Sequence, residues 1–244
     1  MRAARTVPTS SMAELVAKLP WSDVEANLWE AGFGCLGPVL RQEECERLRG
    51  LYADTGRFRS RIDMARYRFG QGEYQYFAHP LPTVVTELRE GLYERLAGPA
   101  NAWIAELGLT GDFPAEHGAF LKQCAKRGQK RPTPLLLRYR AGDYNCLHQD
   151  VYGDVVFPFQ VIFCLSAPGG EFSGGELILV EQRPRAQSLG HSITLQQGEG
   201  IVITTRYRPV KGSRGYYRAN LRHGVSKVLS GERYTLGIIF HDGK

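Results

Sequence analysis

The sequence predicts an α+β protein in which a mainly helical N-terminal layer packs on a β-sandwich or jelly-roll core. Two observations indicate this class. Apolar residues recur at helical spacing in the first half, whereas the second half carries short β-rich segments separated by Gly, Pro or Ser clusters. With 244 residues and no linker-like composition, the chain is expected to form one domain, with residues 1–132 as the helical layer and 133–244 as the jelly-roll core.

Three helical stretches are predicted in the first half. Ser22 and Glu25 have the spacing of a capping box, which predicts that a helix begins there. Residues 43–53 carry a second helical pattern. Residues 82–107 carry a third, which the Gly-Pro dipeptide at 98–99 is expected to divide into two helices.

The second half is predicted to contain six or more strands. Their short length and their separation by turn residues favour a sandwich or jelly roll over alternating βαβ units. The strands are predicted at residues 135–140, 159–165, 176–180, 192–195, 201–205 and 234–240.

Composition excludes several classes of protein. With 43% hydrophobic and 23% charged residues, the chain resembles an ordinary soluble globular domain. Its apolar runs fall short of the roughly 18 residues that a membrane helix needs, so no membrane association is expected. The N-terminus has Met1, Arg2 and Arg5 with no apolar stretch behind them, which predicts a short polar lead and not a secretory signal. Five cysteines without a CxxC pair predict a reducing compartment, the cytoplasm, and nothing in the sequence indicates an obligate protein partner.

The net charge of +6 is unevenly distributed. Residues 122–140 contain seven basic and no acidic side chains, and residues 206–222 contain six basic and no acidic ones. Two interpretations stay open from the sequence. These stretches are either solvated loops or parts of an anion-facing surface near the functional site.

A short motif at His148 carries the strongest chemical signal. His148 and Asp150 are two residues apart, so on a strand their side chains point to the same face. His223 lies 75 residues further on, at the start of the last predicted strand pair. Two imidazoles and one carboxylate form the facial triad that holds non-haem Fe(II) and leaves positions open for co-substrate and O₂.

Two further features accompany this motif. Arg233 follows His223 by ten residues, and a Gly-Gly-Glu-Leu segment occupies positions 174–177. With this pattern the chain resembles the iron(II)- and 2-oxoglutarate-dependent oxygenases, particularly their prolyl-hydroxylase-like branch, over residues 135–242. The resemblance implies a double-stranded β-helix, a distorted jelly roll, in agreement with the predicted strands. It also implies Fe(II), 2-oxoglutarate and O₂, with ascorbate as a supporting reductant.

The same resemblance implies roles for individual residues. His148, Asp150 and His223 are the expected ligands of Fe(II), and no further catalytic side chain is expected. Arg233 offers a planar guanidinium to the far carboxylate of 2-oxoglutarate, and Thr235 and Tyr139 are expected to donate hydrogen bonds to it. The implied reaction is hydroxylation of a C–H bond with release of succinate and CO₂. Because related halogenases carry a small residue at the carboxylate position, Asp150 favours hydroxylation over halogenation.

Residues 57–78 are predicted to face the substrate. Arginines interleaved with aromatic residues suit a surface that binds phosphates and bases. The alternative is that these aromatic residues pack the helical layer onto the sandwich. The candidate substrate-binding residues are Arg66, Arg68, Tyr74, Tyr76, Arg208 and Arg214.

The whole chain also resembles a bacterial family of 2-oxoglutarate oxygenases described, by analogy with AlkB, as acting on damaged nucleic acid. Residues 234–240, however, lack the additional Arg that AlkB-type demethylases carry in their final strand region. Three hypotheses therefore stand. The protein is an oxygenase for a small, anionic or amino-acid-like metabolite, an oxidative demethylase of alkylated nucleic-acid bases, or a non-catalytic jelly-roll binding module.

Overall fold

A computed structural model describes residues 11–244, so the predicted polar lead at residues 1–10 lies outside the described residues. Most of the helices precede the main group of strands. The α-helices are α1 (Met12–Ala17), α2 (Trp21–Ala31), α3 (Gln42–Gly50), α4 (Thr83–Glu106) and α5 (His117–Lys126), and short 3₁₀ turns cover Leu51–Ala53, Thr55–Arg57 and Met64–Tyr67.

Fourteen strands are found among residues 11–244. They are β1 (Phe33–Pro38), β2 (Phe58–Asp63), β3 (Gly70–Gln71), β4 (Glu73–Phe77), β5 (Leu135–Arg140), β6 (Tyr144–His148), β7 (Phe159–Cys164), β8 (Phe172–Gly174), β9 (Leu177–Gln182), β10 (Leu189–Ile193), β11 (Glu199–Thr204), β12 (Tyr207–Gly212), β13 (Gly215–Val225) and β14 (Val228–Ile239).

These strands form two antiparallel sheets. The eight-stranded sheet has the order β1-β11-β7-β14-β5-β4-β2, with β8 attached to β14. The six-stranded sheet has the order β10-β9-β13-β6-β3, with β12 attached to β13. One buried cluster contains Tyr139 and Cys164 from the larger sheet together with Leu177 and Leu179 from the smaller, so the sheets pack against each other. The predicted mainly β, α+β class with a jelly-roll core is confirmed.

The helices cover the outer face of the eight-stranded sheet. Successive side chains of a strand point to opposite faces, so Val161 and Phe163 of β7 join the helix-side core whereas Ile162 lines a cavity on the other face. On the helix side, Trp103 of α4 packs edge-to-face on Phe159, with ring centroids 4.6 Å apart. One face of this sheet is therefore a conventional core, and the other is left for a site.

The helix boundaries differ from those predicted at two places. α2 begins at Trp21, with Pro20 at its N-cap and no side-chain cap, so the predicted capping box of Ser22 and Glu25 is wrong. The helix predicted at 43–53 is α-helical only as far as Gly50, and Leu51–Ala53 form a 3₁₀ turn.

α4 is one continuous helix and is not divided at Gly98-Pro99, contrary to prediction. Proline in a helix interior removes one backbone hydrogen bond. Here Leu96, Ala97 and Ala100 are buried on both sides of the dipeptide, and packing of the apolar face keeps the helix intact.

The N-terminal half also contributes strands that the sequence did not reveal. β1 pairs with β11, and β4 pairs with β5, so these strands extend the eight-stranded sheet. β3 pairs with β6 in the six-stranded sheet, so residues 57–78 contribute to both sheets and do not form a separate helical layer. In the second half β5 has the predicted bounds, whereas β6, β8, β12 and most of β13 were missed.

Two expectations about the environment can be compared with the structure. Within residues 11–244, no helix is both long enough and apolar enough to cross a membrane. All five cysteines are free, in line with the absence of a disulfide framework.

Candidate active site

The predicted metal ligands converge at the end of two neighbouring strands. His148 is the last residue of β6, and it pairs directly with His223 of β13 in the six-stranded sheet. Asp150 follows His148 by two residues and is buried. The pairing of β6 with β13 therefore brings together two histidines that are 75 positions apart in the sequence.

The geometry of this cluster is that of a three-ligand metal site. One ligand atom from each of His148, Asp150 and His223 lies within 4.8 Å of the others. His223 Nε2 is 3.2 Å from Asp150 Oδ2, and His148 Nε2 is 3.5 Å from Asp150 Oδ1. His148 Nδ1 lies 2.8 Å from the carbonyl oxygen of Cys146. Because a carbonyl only accepts hydrogen bonds, Nδ1 carries a proton, and Nε2 is the ring nitrogen that faces the cluster and would bind a metal.

The electrostatics of the cluster suit a cation. Burial alone would raise the pKa of the Asp150 carboxyl, but the neighbouring His223 and His148 hold this pKa well below its usual value. Burial and the adjacent His148 lower the pKa of His223. Burial opposes protonation of His148, but its hydrogen bond with Asp150 raises its pKa overall. The carboxylate is thus ionised and His223 is neutral at pH 7, and this donor set fits Fe(II).

Two residues that sequence reasoning missed hold the carboxylate in place. The Tyr152 hydroxyl donates to Asp150 Oδ1 at 2.6 Å, and the Gln160 amide donates to Asp150 Oδ2 at 2.9 Å. Such second-layer partners orient a metal ligand and tune its affinity. Gln160 had a signal in the sequence, since it is a polar residue inside the apolar strand β7.

A cavity of about 300 Å³ adjoins the three candidate ligands. Its walls come from both sheets, and they are largely apolar. Besides the triad, the cavity is lined by Arg68, Phe69, Tyr74, Leu135, Leu137, Tyr139, Asn145, Cys146, Leu147, Gln149, Tyr152, Gln160, Ile162, Leu177, Val225, Arg233, Thr235, Gly237 and Ile239.

Arg233 is the unusual member of this lining. It is only 3% exposed, yet among residues 11–244 it forms no ion pair, and its Nη1 has no hydrogen-bond partner. Its guanidinium lies 5.7 Å from the ring centroid of Tyr139. A Cβ atom at Gly175 would come within 2.9 Å of the Arg233 side chain, so glycine at this position leaves room for it. A buried, unpaired guanidinium is costly unless an anion binds it.

The other predicted co-substrate residues line the same cavity. Thr235 lies two residues beyond Arg233 on β14, on the same face, and is buried. Tyr139 is also buried, and burial raises the pKa of its hydroxyl to about 12, so it is a hydrogen-bond donor at neutral pH. The Asn145 amide donates to the Tyr139 oxygen at 3.3 Å. An unpaired guanidinium beside hydroxyl groups fits the far carboxylate of 2-oxoglutarate.

The six predicted substrate residues differ in their position relative to the cavity. Arg68 and Tyr74 line the cavity. Tyr76 packs edge-to-face on Tyr152, with centroids 6.4 Å apart, and so lies behind the wall. Arg66 lies outside, in a shallow depression beside the cavity-lining segment.

The remaining two candidates, Arg208 and Arg214, do not reach the cavity. Arg208 is buried and donates to Glu181 Oε2 at 2.6 Å and to the Trp29 carbonyl oxygen at 2.6 Å, so its prediction as a substrate residue is wrong. Arg214 lies in the turn between β12 and β13, roughly 30 Å of extended strand away from His223, and does not line the cavity.

In the two stretches without acidic residues, 122–140 and 206–222, not every basic side chain is available to bind an anion. Arg138 pairs with Glu73, and Arg140 pairs with Glu232 at 2.9 Å. Acidic residues from neighbouring strands thus neutralise basic residues whose own segments lack acids. The net charge of a sequence segment therefore does not give the net charge of the surface to which it belongs.

Solved structures with a similar fold include prolyl hydroxylases. A prolyl-4-hydroxylase from Pseudomonas putida superimposes with a TM-score of 0.54 over 94% of this chain and 99% of that chain, at 15% identity. A prolyl hydroxylase from Trichoplax adhaerens, in complex with a peptide fragment of the hypoxia inducible factor oxygen degradation domain, gives 0.56 over 97% and 94%, at 16% identity. At this identity the likeness establishes the fold, a double-stranded β-helix.

Two sequence comparisons are more specific. Residues 72–243 match the family model Oxygenase-NA, described as an oxygenase "catalysing oxidative methylation of damaged DNA". Two uncharacterised proteins of Mycobacterium tuberculosis are 49% identical to this chain over 166 residues, which is 68% of this chain and 71% of each relative.

The fold and the His-Asp-His site define an iron(II)- and 2-oxoglutarate-dependent oxygenase, with Fe(II), 2-oxoglutarate and O₂ as its cofactor and co-substrates. Within this class, the chain belongs to the Oxygenase-NA family. The alternative of a non-catalytic jelly-roll module does not agree with membership in an oxygenase family.

Proposed function

We propose that this protein is a 2-oxoglutarate-dependent hydroxylase that acts on a C–H bond of an anionic substrate and releases succinate and CO₂. The observation that carries the proposal is the shared cavity. A two-histidine, one-carboxylate cluster and a buried guanidinium without a partner among the described residues line the same apolar space. The cluster with its carboxylate has the charge that Fe(II) requires, and the guanidinium has the charge that the far carboxylate of 2-oxoglutarate requires.

The roles of the residues follow from their positions. His148, Asp150 and His223 would hold Fe(II), which together with 2-oxoglutarate and O₂ supplies the oxidising chemistry when bound. Asp150 contributes the negative charge, held in orientation by its two hydrogen-bond partners. Because a carboxylate occupies this ligand position, hydroxylation is favoured over halogenation. Ascorbate would support the reduced state of the metal.

The co-substrate would be oriented from the opposite end of the cavity. Arg233 would bind its far carboxylate through charge-assisted hydrogen bonds, with Thr235 and Tyr139 as further donors. Apolar residues such as Ile162, Leu177 and the other aliphatic members of the lining exclude water from the space between them.

A second candidate function is oxidative demethylation of alkylated nucleic-acid bases. The description of the matching family, which names damaged DNA, favours it. Hydroxylation of an N-methyl group is followed by loss of formaldehyde, and the base must first leave its stack to enter the cavity. The positively charged Arg68 at the cavity wall would suit a phosphate backbone as well as a small anion.

The two candidates are separated by the substrate that stimulates 2-oxoglutarate consumption. The enzyme is incubated with Fe(II) and ascorbate, and either with single-stranded oligonucleotides carrying N-methylated bases or with a panel of small carboxylates and amino acids. Demethylation would be established if the methylated oligonucleotide yields as much formaldehyde as succinate and its unmethylated counterpart yields no formaldehyde. Stimulation by a small anion alone would establish the metabolite hydroxylase, and stimulation by neutral compounds only would contradict an anionic substrate.

We also propose that the protein works in the cytoplasm, a compartment that keeps its five cysteines reduced. No obligate protein partner is included in this proposal.

A further inference from the structure

Two aromatic rings are displayed on the surface near the active-site cavity. Tyr67 is 57% exposed and Phe69 is 47% exposed. The rings stack on each other, with centroids 5.5 Å apart and an interplanar angle of 19°. Large apolar side chains at this exposure in a stacked pair lack a reason in the packing of the core.

This pair lies at the mouth of the cavity. Phe69 and the intervening Arg68 belong to the cavity lining. The Phe69 carbonyl oxygen accepts a hydrogen bond from the Cys146 backbone at 2.8 Å, two residues before His148. Leu147, which is also exposed, lies on the same strand as His148. The exposed rings and the candidate metal ligand are thus on adjacent, hydrogen-bonded segments.

The segment that carries the rings is held in a fixed conformation. Its first residue, Met64, is fully buried, and the Phe69 amide donates to the Met64 carbonyl oxygen at 3.1 Å. At its far end Gly70 adopts φ +132°, and a Cβ there would come within 2.3 Å of the Tyr144 carbonyl oxygen, so only glycine fits. Arg68 itself is in the left-handed region, with φ 60°. This residue is the C-cap of the 3₁₀ turn Met64–Tyr67, and its conformation fixes the direction in which the chain continues to Phe69.

The charge of this segment points to an anionic partner. Arg66 and Arg68 flank Tyr67, and among residues 11–244 neither forms an ion pair. Arg61 on the preceding strand is different, since it pairs with Glu73. The cations beside the stacked rings are therefore available to a ligand.

We propose that Arg66, Tyr67, Arg68 and Phe69, together named the mouth surface, bind single-stranded nucleic acid beside the cavity. Exposed rings stack on unpaired bases of any sequence, and the two guanidinium groups contact phosphates. A duplex hides the faces of its bases and would bind more weakly. This inference rests on the second candidate under Proposed function, because it supplies the substrate class of that same site.

The test is fluorescence anisotropy with a labelled oligothymidine strand, the whole 244-residue chain, Fe(II) and 2-oxoglutarate. Wild type should bind the single strand at least tenfold more tightly than a duplex of equal length. Removing either ring (Tyr67→Ala or Phe69→Ala) should weaken binding at least about fivefold, whereas the ring-preserving Tyr67→Phe and Phe69→Tyr should retain it. Leu189→Ala is the matched control, because Leu189 is 53% exposed on β10, at the opposite edge of the same sheet from β3.

Leucine at both positions separates stacking from simple apolar contact. Tyr67→Leu with Phe69→Leu keeps apolar area but no flat ring, so binding should be lost, and retained binding would overturn the proposal. The association constant falls as the salt concentration rises, and Arg68→Gln should make the slope of log K against log salt less negative by about 0.7. Arg214→Gln, at the distant turn, should leave this slope unchanged. Equal slopes for all three proteins would also overturn it, as would tighter binding of a proline-rich peptide than of the strand.

The oxygenase reaction is tested separately by succinate formation without nucleic acid, with His148→Ala as the blank. Succinate without strand binding overturns the mouth surface and leaves the proposed oxygenase intact. Strand binding without succinate supports the mouth surface and overturns the proposed reaction.

Discussion

At the scale of single residues, the candidate site depends on a few buried polar groups in an otherwise apolar cavity. Asp150 has two histidine neighbours and two hydrogen-bond donors, whereas Arg233 has an aromatic neighbour and no anion among the described residues. Each group has a different requirement. Asp150 must be oriented for a metal, and Arg233 must be neutralised by a ligand.

Loss of the Arg233 guanidinium should impair co-substrate binding selectively. In Arg233→Gln the apparent KM for 2-oxoglutarate should rise by a factor corresponding to about 2–3 kcal/mol, because a charge-assisted contact is lost. Steady-state kinetics measure this, and titration with Fe(II) should give an unchanged Kd. Arg233→Lys should lie between the two proteins, since it keeps the charge and loses the planar fork. Equal loss of iron and co-substrate binding would mean that Arg233 is structural.

Gln160 should act through Asp150 on the metal. Gln160→Met removes the donor to Asp150 Oδ2 and should weaken Fe(II) binding about 10–100-fold. Gln75→Met is the control, because Gln75 is equally buried but donates to the Tyr52 carbonyl oxygen. It should lower the free energy of unfolding without changing the affinity for Fe(II). Identical iron affinities in wild type and Gln160→Met would refute the positioning role.

The sequence predicted the triad but not its supports, and the reason is physical. His148 and Asp150 are linked by their two-residue spacing, although β6 ends at His148 and Asp150 lies just beyond the strand. His223 and Arg233 are linked by the spacing of one strand pair. The contact of Gln160 with Asp150 depends on how β7 packs against the loop that precedes it, which no local pattern encodes. Arg208 was wrongly predicted for the converse reason, since its partner Glu181 lies on a different strand.

At the scale of elements, the continuity of α4 shows tertiary packing prevailing over local helix propensity. Val85, Leu88, Leu92 and Trp103 are buried along its whole length, and the Gly-Pro dipeptide lies within this stripe. In the second half the sequence predicted strands that turn residues delimit, such as β5 and β7, but it missed β6, β8, β12 and most of β13. β1, β2 and β3 were missed because they contain Gly, Pro or Arg, and β4 was missed because it is a run of only five residues. Pairing with neighbouring strands determines the conformation of all four.

The intrinsic cost of Gly91 in α4 should be recoverable. Gly91 lies inside the helix, and a Cβ there would make only ordinary contacts with Val16, none closer than 3.4 Å. Gly91→Ala should therefore raise the free energy of unfolding by about 0.5–1 kcal/mol, measured by urea denaturation. Gly108, just after the helix, has φ +61°, so Gly108→Ala should lower it instead. A decrease for Gly91→Ala would indicate that residue 91 is not in a continuous helix.

At the scale of the whole molecule, one buried polar cluster joins the helical layer to the end of the sheet. Arg89 of α4 donates to Asp242 at 2.8 Å and to the Ile239 and Phe240 carbonyl oxygens. His117 of α5 contacts the Phe240 carbonyl oxygen at 2.9 Å. These contacts connect two helices to the strand that carries Arg233, so the packing of the layer and the geometry of the site are coupled.

His117 should make stability depend on pH. Burial lowers its pKa to about 3, whereas the unfolded chain takes up the proton near pH 6.5. The stabilisation is therefore complete above pH 6.5 and is lost as the pH falls from 6.5 towards 3. Between pH 6.5 and 5 the free energy of unfolding of wild type should fall by about 1.5 kcal/mol more than that of His117→Asn. Parallel pH profiles in urea denaturation would show that His117 is not the titrating group.

The most direct test of the central claim is iron-dependent conversion of 2-oxoglutarate to succinate by the purified protein. Wild type with Fe(II), ascorbate and O₂ should release succinate, and His148→Ala should release none above the protein-free background. The account is contradicted if wild type at saturating Fe(II) and 2-oxoglutarate forms no succinate, or if His148→Ala forms as much as wild type.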